Sequence, residues 1–325
     1  MKIGLQITKN KDKYKKLISF IDHKKIKKIS LVHIKDEQSL IDNFSDLDIL
    51  VTYKIKPEIF KYHSEKLKWI HIGASGVEEN LFNEILKSKV MITNAKGINS
   101  KPVAEFIISQ IMYFSKNLNK CYQFKKDKIW NQWDLAKETK QLYNSTLGIV
   151  GYGEIGKELS KLAKSFGMKI IATRRLQKKV ETKKYVDFLI PITQIKEIFK
   201  QSDYLCITCP LTPATYNMID RKAFKMMKKE SVIINTSRGK IINEKDLLTA
   251  LNKNHIRGAA LDVFATEPLN QDNKLFELDN VLLSPHISGN FSQYQEIMIK
   301  QFNQMLIKFI DGKSIKNRVC KKRQY

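Results

Sequence analysis

Three side chains of complementary chemistry stand close together late in the chain. Arg238 lies in Asn235-Thr236-Ser237-Arg238-Gly239, Glu267 in Asp262-Val263-Phe264-Ala265-Thr266-Glu267-Pro268, and His286 in Ser284-Pro285-His286-Ile287-Ser288-Gly289. A guanidinium clamps a carboxylate in bidentate fashion and polarises a neighbouring carbonyl. An imidazole gives a proton to a developing alkoxide, and a carboxylate beside it keeps the ring charged and oriented. The set suffices for hydride chemistry on a carboxylated carbonyl compound. Each residue also has a plainer reading. Arg238 alone fits a surface turn, Glu267 a solvated loop before Pro268, and His286 a structural histidine after a strand.

What would bring them together is a parallel sheet. Each follows a short apolar run (231–235, 258–263 and 281–283) of the kind that forms buried strands. Ligands of open α/β sheets collect just past such strand ends. The firmest sign of that architecture lies upstream. Leu147 to Val150 is apolar, Gly151-Tyr152-Gly153-Glu154-Ile155-Gly156 follows, and Leu159, Leu162, Ala163 and Phe166 then recur at helical spacing up to Gly167. The run 168–173 reads as the next strand. Strand, G-x-G-x-x-G, helix, strand is the dinucleotide fingerprint. Gly151 permits the tight turn, Gly153 the approach of a pyrophosphate, and Gly156 close packing of helix on strand. The helix N-terminus supplies amide donors. A lone glycine turn of this pattern is a weak signal, and the strand–helix context is what gives it weight.

At the end of the second strand, where a carboxylate would accept from the ribose hydroxyls of NAD, the chain has Thr173-Arg174-Arg175, followed by Lys178 and Lys179. Guanidinium groups there suit the 2′-phosphate of NADP(H). The expectation is NADP(H) in preference to NAD(H), against the plainer view that basic residues are common throughout.

The chain has 325 residues, enough for two domains, and 42% of them are apolar. Its formal net charge of +25 admits nucleic acid or an anionic surface as partner, and favours anionic substrates. The lysines are spread over nearly every segment rather than gathered on one aromatic-interleaved helix, which argues against nucleic acid. Of Cys121, Cys206, Cys209 and Cys320, only Cys206 and Cys209 have C-x-x-C spacing. They sit at the end of an apolar strand, so a redox or metal pair is not expected and no metal is. No apolar run reaches membrane-spanning length and the N-terminus reads as a strand, so a cytoplasmic location is expected.

Candidate strands at 2–7, 30–34, 48–53, 68–72 and 90–93 alternate with helical patterns such as 14–22 and 57–63. Small residues 73–77 after the fourth strand leave backbone amides free for a ligand or form an ordinary turn. An apolar helix over 101–118 leads into a second alternating region, with strands at 185–190 and 203–209 and helices at 192–200, 221–229 and 243–252. Between them, 119–143, with Trp130 and Trp133, reads as an arm or subunit contact. A helix over 293–310 returns the chain to its first domain. The expected class is α/β, with two doubly wound parallel-sheet domains: residues 1–100 and 291–325 flavodoxin-like and substrate-binding, 101–290 a Rossmann dinucleotide-binding domain.

The glycine turn, the segments around Arg238, Glu267 and His286, Val103-Ala104-Glu105 and Cys209-Pro210-Leu211-Thr212-Pro213-Ala214-Thr215 together resemble the D-2-hydroxyacid dehydrogenases. The likeness spans nearly the whole chain and is strongest over 94–289. It implies Arg238 as binder of the substrate carboxylate, His286 as acid/base and Glu267 as its partner. It implies Asp262 near the nicotinamide carboxamide, with Ser288 and Gly289 close by. Backbone amides of Ser75 and Gly76 would hold the substrate carboxylate. Glu154 and Ile155 would meet the pyrophosphate, with Pro210, Thr215 and Thr236 lining the cofactor cleft and Arg174 and Arg175 at its adenosine end. The family is usually homodimeric. Arg174 in place of the common acidic residue makes the chain look like the NADP-using glyoxylate and hydroxypyruvate reductases. Because it stops at Tyr325 without an added regulatory domain, it is unlike the long phosphoglycerate dehydrogenases. A phosphoglycerate dehydrogenase-type enzyme and a non-enzymatic dinucleotide sensor, like the corepressors that resemble this family, are the alternatives.

Overall fold

The computed structural model describes residues 1–22 and 29–322, so Tyr325 lies outside the described residues. The chain forms two compact units, Met1–Asn99 with Phe291–Tyr325, and Ser100–Asn290.

The first unit is built on β1 (Lys2–Gln6), β2 (Ser30–His33), β3 (Ile49–Thr52), β4 (Trp69–Ile72) and β5 (Met91–Asn94), in the order β2-β1-β3-β4-β5. All pairings are parallel. Every residue of β3 and β4 is buried, as strands covered on both faces must be, whereas β2 at the edge buries none. The direction of chain progress reverses between β1 and β3, so a crevice opens past their carboxyl ends. Helix Tyr294–Ile310 packs on this sheet, with Phe302 against Trp69 at 5.1 Å between ring centroids.

The second unit contains β6 (Thr146–Val150), β7 (Lys169–Arg174), β8 (Glu181–Lys183), β9 (Val186–Pro191), β10 (Tyr204–Ile207), β11 (Val232–Asn235), β12 (Gly258–Leu261) and β13 (Val281–Leu283). Their order is β13-β12-β11-β10-β6-β7-β9-β8, the doubly wound arrangement with its switch point between β6 and β10. The expected two-domain α/β architecture is what forms. One strand departs from it, since β8 runs antiparallel to β9 and closes the sheet edge.

Most observed elements are a residue or two shorter than the apolar runs suggest, because the runs include the turn residues that complete a core. Among the described residues, four α-helices have no counterpart in the sequence reading, of which Asn83–Lys87 is the shortest. Glu37–Phe44 is started by a capping box in which Asp36 accepts from the Ser39 amide and Ser39 answers through its hydroxyl. Leu118–Asp127 and Gln132–Glu138 occupy the stretch read as an arm, and neither buries a residue. Trp130 there is 90% exposed and Trp133 73%. Among the described residues no helix is long and apolar enough to cross a membrane.

One buried group makes the first unit sensitive to acid. His71 on β4 is fully buried, its Nδ1 lies 2.8 Å from Thr93 Oγ1, and that hydroxyl also accepts from Trp69 Nε1 at 2.8 Å. Nε2 has no partner, and burial pushes the imidazole pKa down to about 3. The unfolded chain takes up this proton near pH 6.5, so stability is whole above that pH and declines as pH falls toward 3. The single site contributes up to about 1.4 kcal/mol per pH unit over that window. Urea midpoints taken from pH 7.5 to 4.5 should fall less steeply for His71→Gln than for the parent chain; parallel slopes would mean the proton is taken up elsewhere.

Candidate active site

The loops after β11, β12 and β13 are locked to one another by backbone geometry and one carboxylate. Asn235, buried at the end of β11, accepts the Ser237 amide at 3.1 Å and donates to the Arg238 carbonyl at 3.0 Å, which shapes the turn carrying the guanidinium. The Ser237 hydroxyl donates to the Cys209 carbonyl in the loop after β10. At Gly239, a Cβ would come within 1.9 Å of the Phe264 carbonyl carbon. The turn after β11 therefore lies directly on the loop after β12, which carries Glu267, and only glycine allows that approach.

Asp262, fully buried, receives Ser284 Oγ at 2.6 Å and the Ile287 amide at 2.9 Å on one oxygen, and the Ser288 amide at 2.9 Å on the other. Its carbonyl accepts the His286 amide at 2.9 Å. Three of the four lone-pair sites of the carboxylate are thus committed to the segment around His286. Held in this way, His286 adopts φ +52°, a left-handed conformation that costs a β-carbon residue about 1–3 kcal/mol. Its Nδ1 is 2.7 Å from Glu267 Oε2, while Glu267 Oε1 accepts the Phe264 amide at 2.9 Å. The carboxylate is fixed at both ends, which fixes the imidazole, and Nε2 is left for a ligand. Arg238 donates from Nη1 to the Ser237 carbonyl at 2.7 Å.

The dinucleotide candidates sit where the switch point requires. Gly151 has φ +110°, and a Cβ on it would lie 2.6 Å from the Cys209 amide nitrogen. The amides of Gly151 and Tyr152 both donate to the Thr173 carbonyl, at 3.1 and 2.7 Å. Gly153 is different: its backbone is extended, and a Cβ would meet nothing within 4 Å. Helix Glu154–Ser165 starts here with no side chain capping it, so the amides of Glu154, Ile155 and Gly156 face that space as an anion cradle. Thr236 Oγ1 is buried without a hydrogen-bond partner. A cradle past the end of β6 and an orphaned hydroxyl past the end of β11, on the same edge of one parallel sheet, fit a bound dinucleotide. The Thr215 hydroxyl, by contrast, is turned onto its own loop, donating to the Pro210 carbonyl at 2.8 Å and accepting the Thr212 amide at 2.8 Å. Arg174 ends β7 with an exposed side chain, next to Arg175.

Ser75 and Gly76 belong to the first unit. The Ser75 hydroxyl donates to Asn99 Oδ1 at 3.0 Å, and Asn94 Nδ2 donates to the Ser75 carbonyl at 2.6 Å. The turn after β4 is thereby tied to the end of β5. Cys206 and Cys209 are both buried and free, with thiol pKa values pushed up by burial, which leaves them inert.

Several residues that shape this site were not singled out from sequence. Asn235 and Ser284 carry a faint signal as polar residues at the ends of apolar runs. Glu244, which begins helix Glu244–Asn252, accepts from the Ala265 amide at 3.3 Å and from Asn273 Nδ2 at 3.0 Å, and so braces the Glu267 loop. Nothing local to it signals that role.

Comparison with known proteins finds likenesses over most of the chain. The family model for the NAD-binding domain of D-isomer specific 2-hydroxyacid dehydrogenases matches residues 108–288. The chain is 33% identical over 294 residues to a glyoxylate reductase of Thermococcus litoralis, covering 87% of this chain and 86% of that one. It is 32% identical over 279 residues to a D-3-phosphoglycerate dehydrogenase of Methanocaldococcus jannaschii, covering 83% of this chain but 52% of that longer protein. The solved structure of an NADPH-dependent glyoxylate/hydroxypyruvate reductase of Sinorhizobium meliloti superposes with a TM-score of 0.84 at 20% identity, covering 100% of this chain and 99% of that one.

The two glycines of the turn should separate under substitution. Gly153→Ala should leave thermal stability nearly unchanged, because its Cβ enters open space, yet weaken dinucleotide binding by about tenfold or more as that methyl occupies the cradle. Gly151→Ala should lose both, from positive φ and overlap with Cys209. Calorimetric titration and thermal melts read the two effects; equal affinities for Gly153→Ala and the parent would remove the cradle from this turn.

Proposed function

The chain belongs to the D-isomer specific 2-hydroxyacid dehydrogenase family of NAD(P)-dependent oxidoreductases, and from that premise we propose that it is an NADPH-preferring reductase of a small 2-oxo acid, glyoxylate or hydroxypyruvate. The observation that carries the reading is the His286–Glu267 pair, 2.7 Å apart, held beside the Arg238 turn at adjacent strand ends.

When bound, the nicotinamide supplies the hydride that reduces the carbonyl carbon. Arg238 binds the substrate carboxylate and draws electron density from the neighbouring carbonyl. Glu267, hydrogen-bonded at Nδ1, holds the imidazole in place and leaves Nε2 for the substrate. His286 then delivers its Nε2 proton to the carbonyl oxygen as negative charge develops there. Asp262 and Asn235 hold the loops that carry these groups. Glu154, Ile155 and Gly156 would take the pyrophosphate, Pro210, Thr215 and Thr236 the cleft beyond it, and Ser288 and Gly289 the nicotinamide end.

The cofactor preference rests on Arg174 and Arg175 at the end of β7, where a carboxylate would refuse a 2′-phosphate. A second copy of the chain is the proposed partner. The exposed aromatic side chains of Tyr122, Trp130 and Trp133 support the arm over 119–143 as its contact. A cytoplasmic location is consistent with the absence of an apolar spanning helix among the described residues. A phosphorylated 2-oxo acid is the second reading, favoured by the net charge of +25 and the likeness to the archaeal phosphoglycerate dehydrogenase.

Oxidation of NADPH and NADH with glyoxylate, hydroxypyruvate, pyruvate and phosphohydroxypyruvate tests the whole assignment. Fast turnover of NADPH with one of the first two is expected. Preference for the phosphorylated acid would establish the second reading, and tight dinucleotide binding without turnover would make the chain a sensor. His286→Ala should lower kcat by about 10²–10⁴-fold while dinucleotide affinity stays within about twofold. Surviving turnover would mean that another group is the acid.

A further inference from the structure

The segment that leaves β7 is almost wholly exposed from Arg174 to Lys184, with one exception. Gln177 is buried, 8% exposed, among exposed Arg174, Arg175, Leu176, Lys178 and Lys179. A long polar side chain is buried only when its hydrogen-bonding groups are met, and those of Gln177 are. Its Oε1 accepts from Arg174 Nη2 at 3.4 Å, and its Nε2 donates to the Lys179 carbonyl at 2.7 Å. The Glu181 carboxylate on β8, ion-paired with Lys183 at 2.6 Å, is held below the usual carboxylate range by that lysine first and by the nearby Gln177 carboxamide. The Gln177 backbone amide donates to the Arg174 carbonyl at 3.0 Å, closing a tight turn. One buried carboxamide thus joins the end of β7, the basic loop and the antiparallel edge strand.

We infer that Gln177 is a positioning residue that sets cofactor choice, a clip that holds the Arg174 guanidinium and the Lys178–Lys179 loop where the ribose 2′-phosphate of NADP(H) arrives. The inference rests on the proposed NADPH preference and adds the residue that makes it effective. An exposed arginine has rotamer entropy to lose on gripping a ligand. One hydrogen bond from Gln177 takes up a single guanidinium N–H and leaves the others for phosphate, so the group is partly ordered in advance without being neutralised. A carboxylate in the same place would order Arg174 as well but cancel its charge, and a neutral carboxamide does not.

The test compares the parent chain with Arg174→Ala, Gln177→Leu and Gln177→Glu. The readouts are kcat and KM for NADPH and for NADH with one 2-oxo acid, inhibition constants of 2′,5′-ADP and 5′-ADP, and the thermal midpoint. The parent should prefer NADPH, and Arg174→Ala should abolish that preference. Gln177→Leu should lower the NADPH-to-NADH ratio of kcat/KM about tenfold, the worth of one charge-assisted hydrogen bond, through KM for NADPH with kcat held. It should weaken 2′,5′-ADP without weakening 5′-ADP. Gln177→Glu should lower the ratio at least as far, because its carboxylate pairs with Arg174 and faces Glu181, and it decides the matter alone should Gln177→Leu not fold. If Arg174→Ala destroys the preference and neither Gln177 variant moves it, the clip is wrong and the cofactor reading stands. If both cofactors lose equally as the thermal midpoint drops, Gln177 only supports the fold and the inference is overturned. A parent with no NADPH preference, or an Arg174→Ala variant that keeps it, removes the cofactor reading and the inference with it.

Discussion

A carboxylate with no exposed surface organises the proposed chemistry from behind. Burying Asp262 would be costly if its charge went unanswered, but a hydroxyl and two amides answer it, all from the segment between Ser284 and Ser288. Those bonds pull that segment across the ends of β12 and β13 and leave His286 in a left-handed conformation that a β-carbon residue disfavours. The strain is stable only because the His286 amide and the two that follow it are tied to Asp262. The imidazole therefore does not reach Glu267 by side-chain search. Its backbone presents it, and the Glu267 carboxylate, itself anchored to the Phe264 amide, receives it.

The same economy of backbone contact appears at the glycines. At Gly239 and Gly151 the missing side chain is the space that a neighbouring loop's main chain fills. Parallel sheets buried on both faces leave their loops as the one place for polar chemistry. Here those loops are stacked against one another rather than standing free. Thr173 extends the chain of contacts: its carbonyl accepts two amides of the glycine turn, and the next residue is Arg174. The glycine turn and the cationic end of β7 are therefore joined directly, not two loops that happen to be near.

Periodicity exposed the two α/β regions and the glycine turn, which are local patterns; Arg238, Glu267 and His286 also stood past strand ends, but only the family resemblance set them apart from ordinary turn residues. The helix Glu37–Phe44 escaped since its capping box uses Ser39 where the familiar signal is Glu or Gln. The helices at Leu118–Asp127 and Gln132–Glu138 bury nothing, so no apolar stripe announced them. The three strand-end segments could be named from sequence, but not what joins them. Asp262 accepts from residues more than twenty positions away, and Glu244 from Asn273 twenty-nine positions away. Such bonds depend on which strands become neighbours, which is a property of the sheet order and not of any stretch of chain.

The charge excess is the feature most easily given too much meaning. The chain has 58 basic against 33 acidic residues, and its ion pairs, such as Lys140–Glu230 and Lys54–Glu79, lie at the surface, where each contributes at most about 1 kcal/mol. They do not hold the fold, and a basic surface of this kind serves at most to draw anions toward the protein. The stretch from Arg174 to Lys184 differs in kind. It has six basic residues and one acidic one, Glu181, which is already paired with Lys183. A buried carboxamide both accepts and donates within this loop. Lysines added by compositional drift need no such support, since solvated charges on a surface gain nothing from being held still. Charges placed to meet a phosphate, the role proposed for Arg174, do, and that difference would separate this loop from the rest of a basic protein.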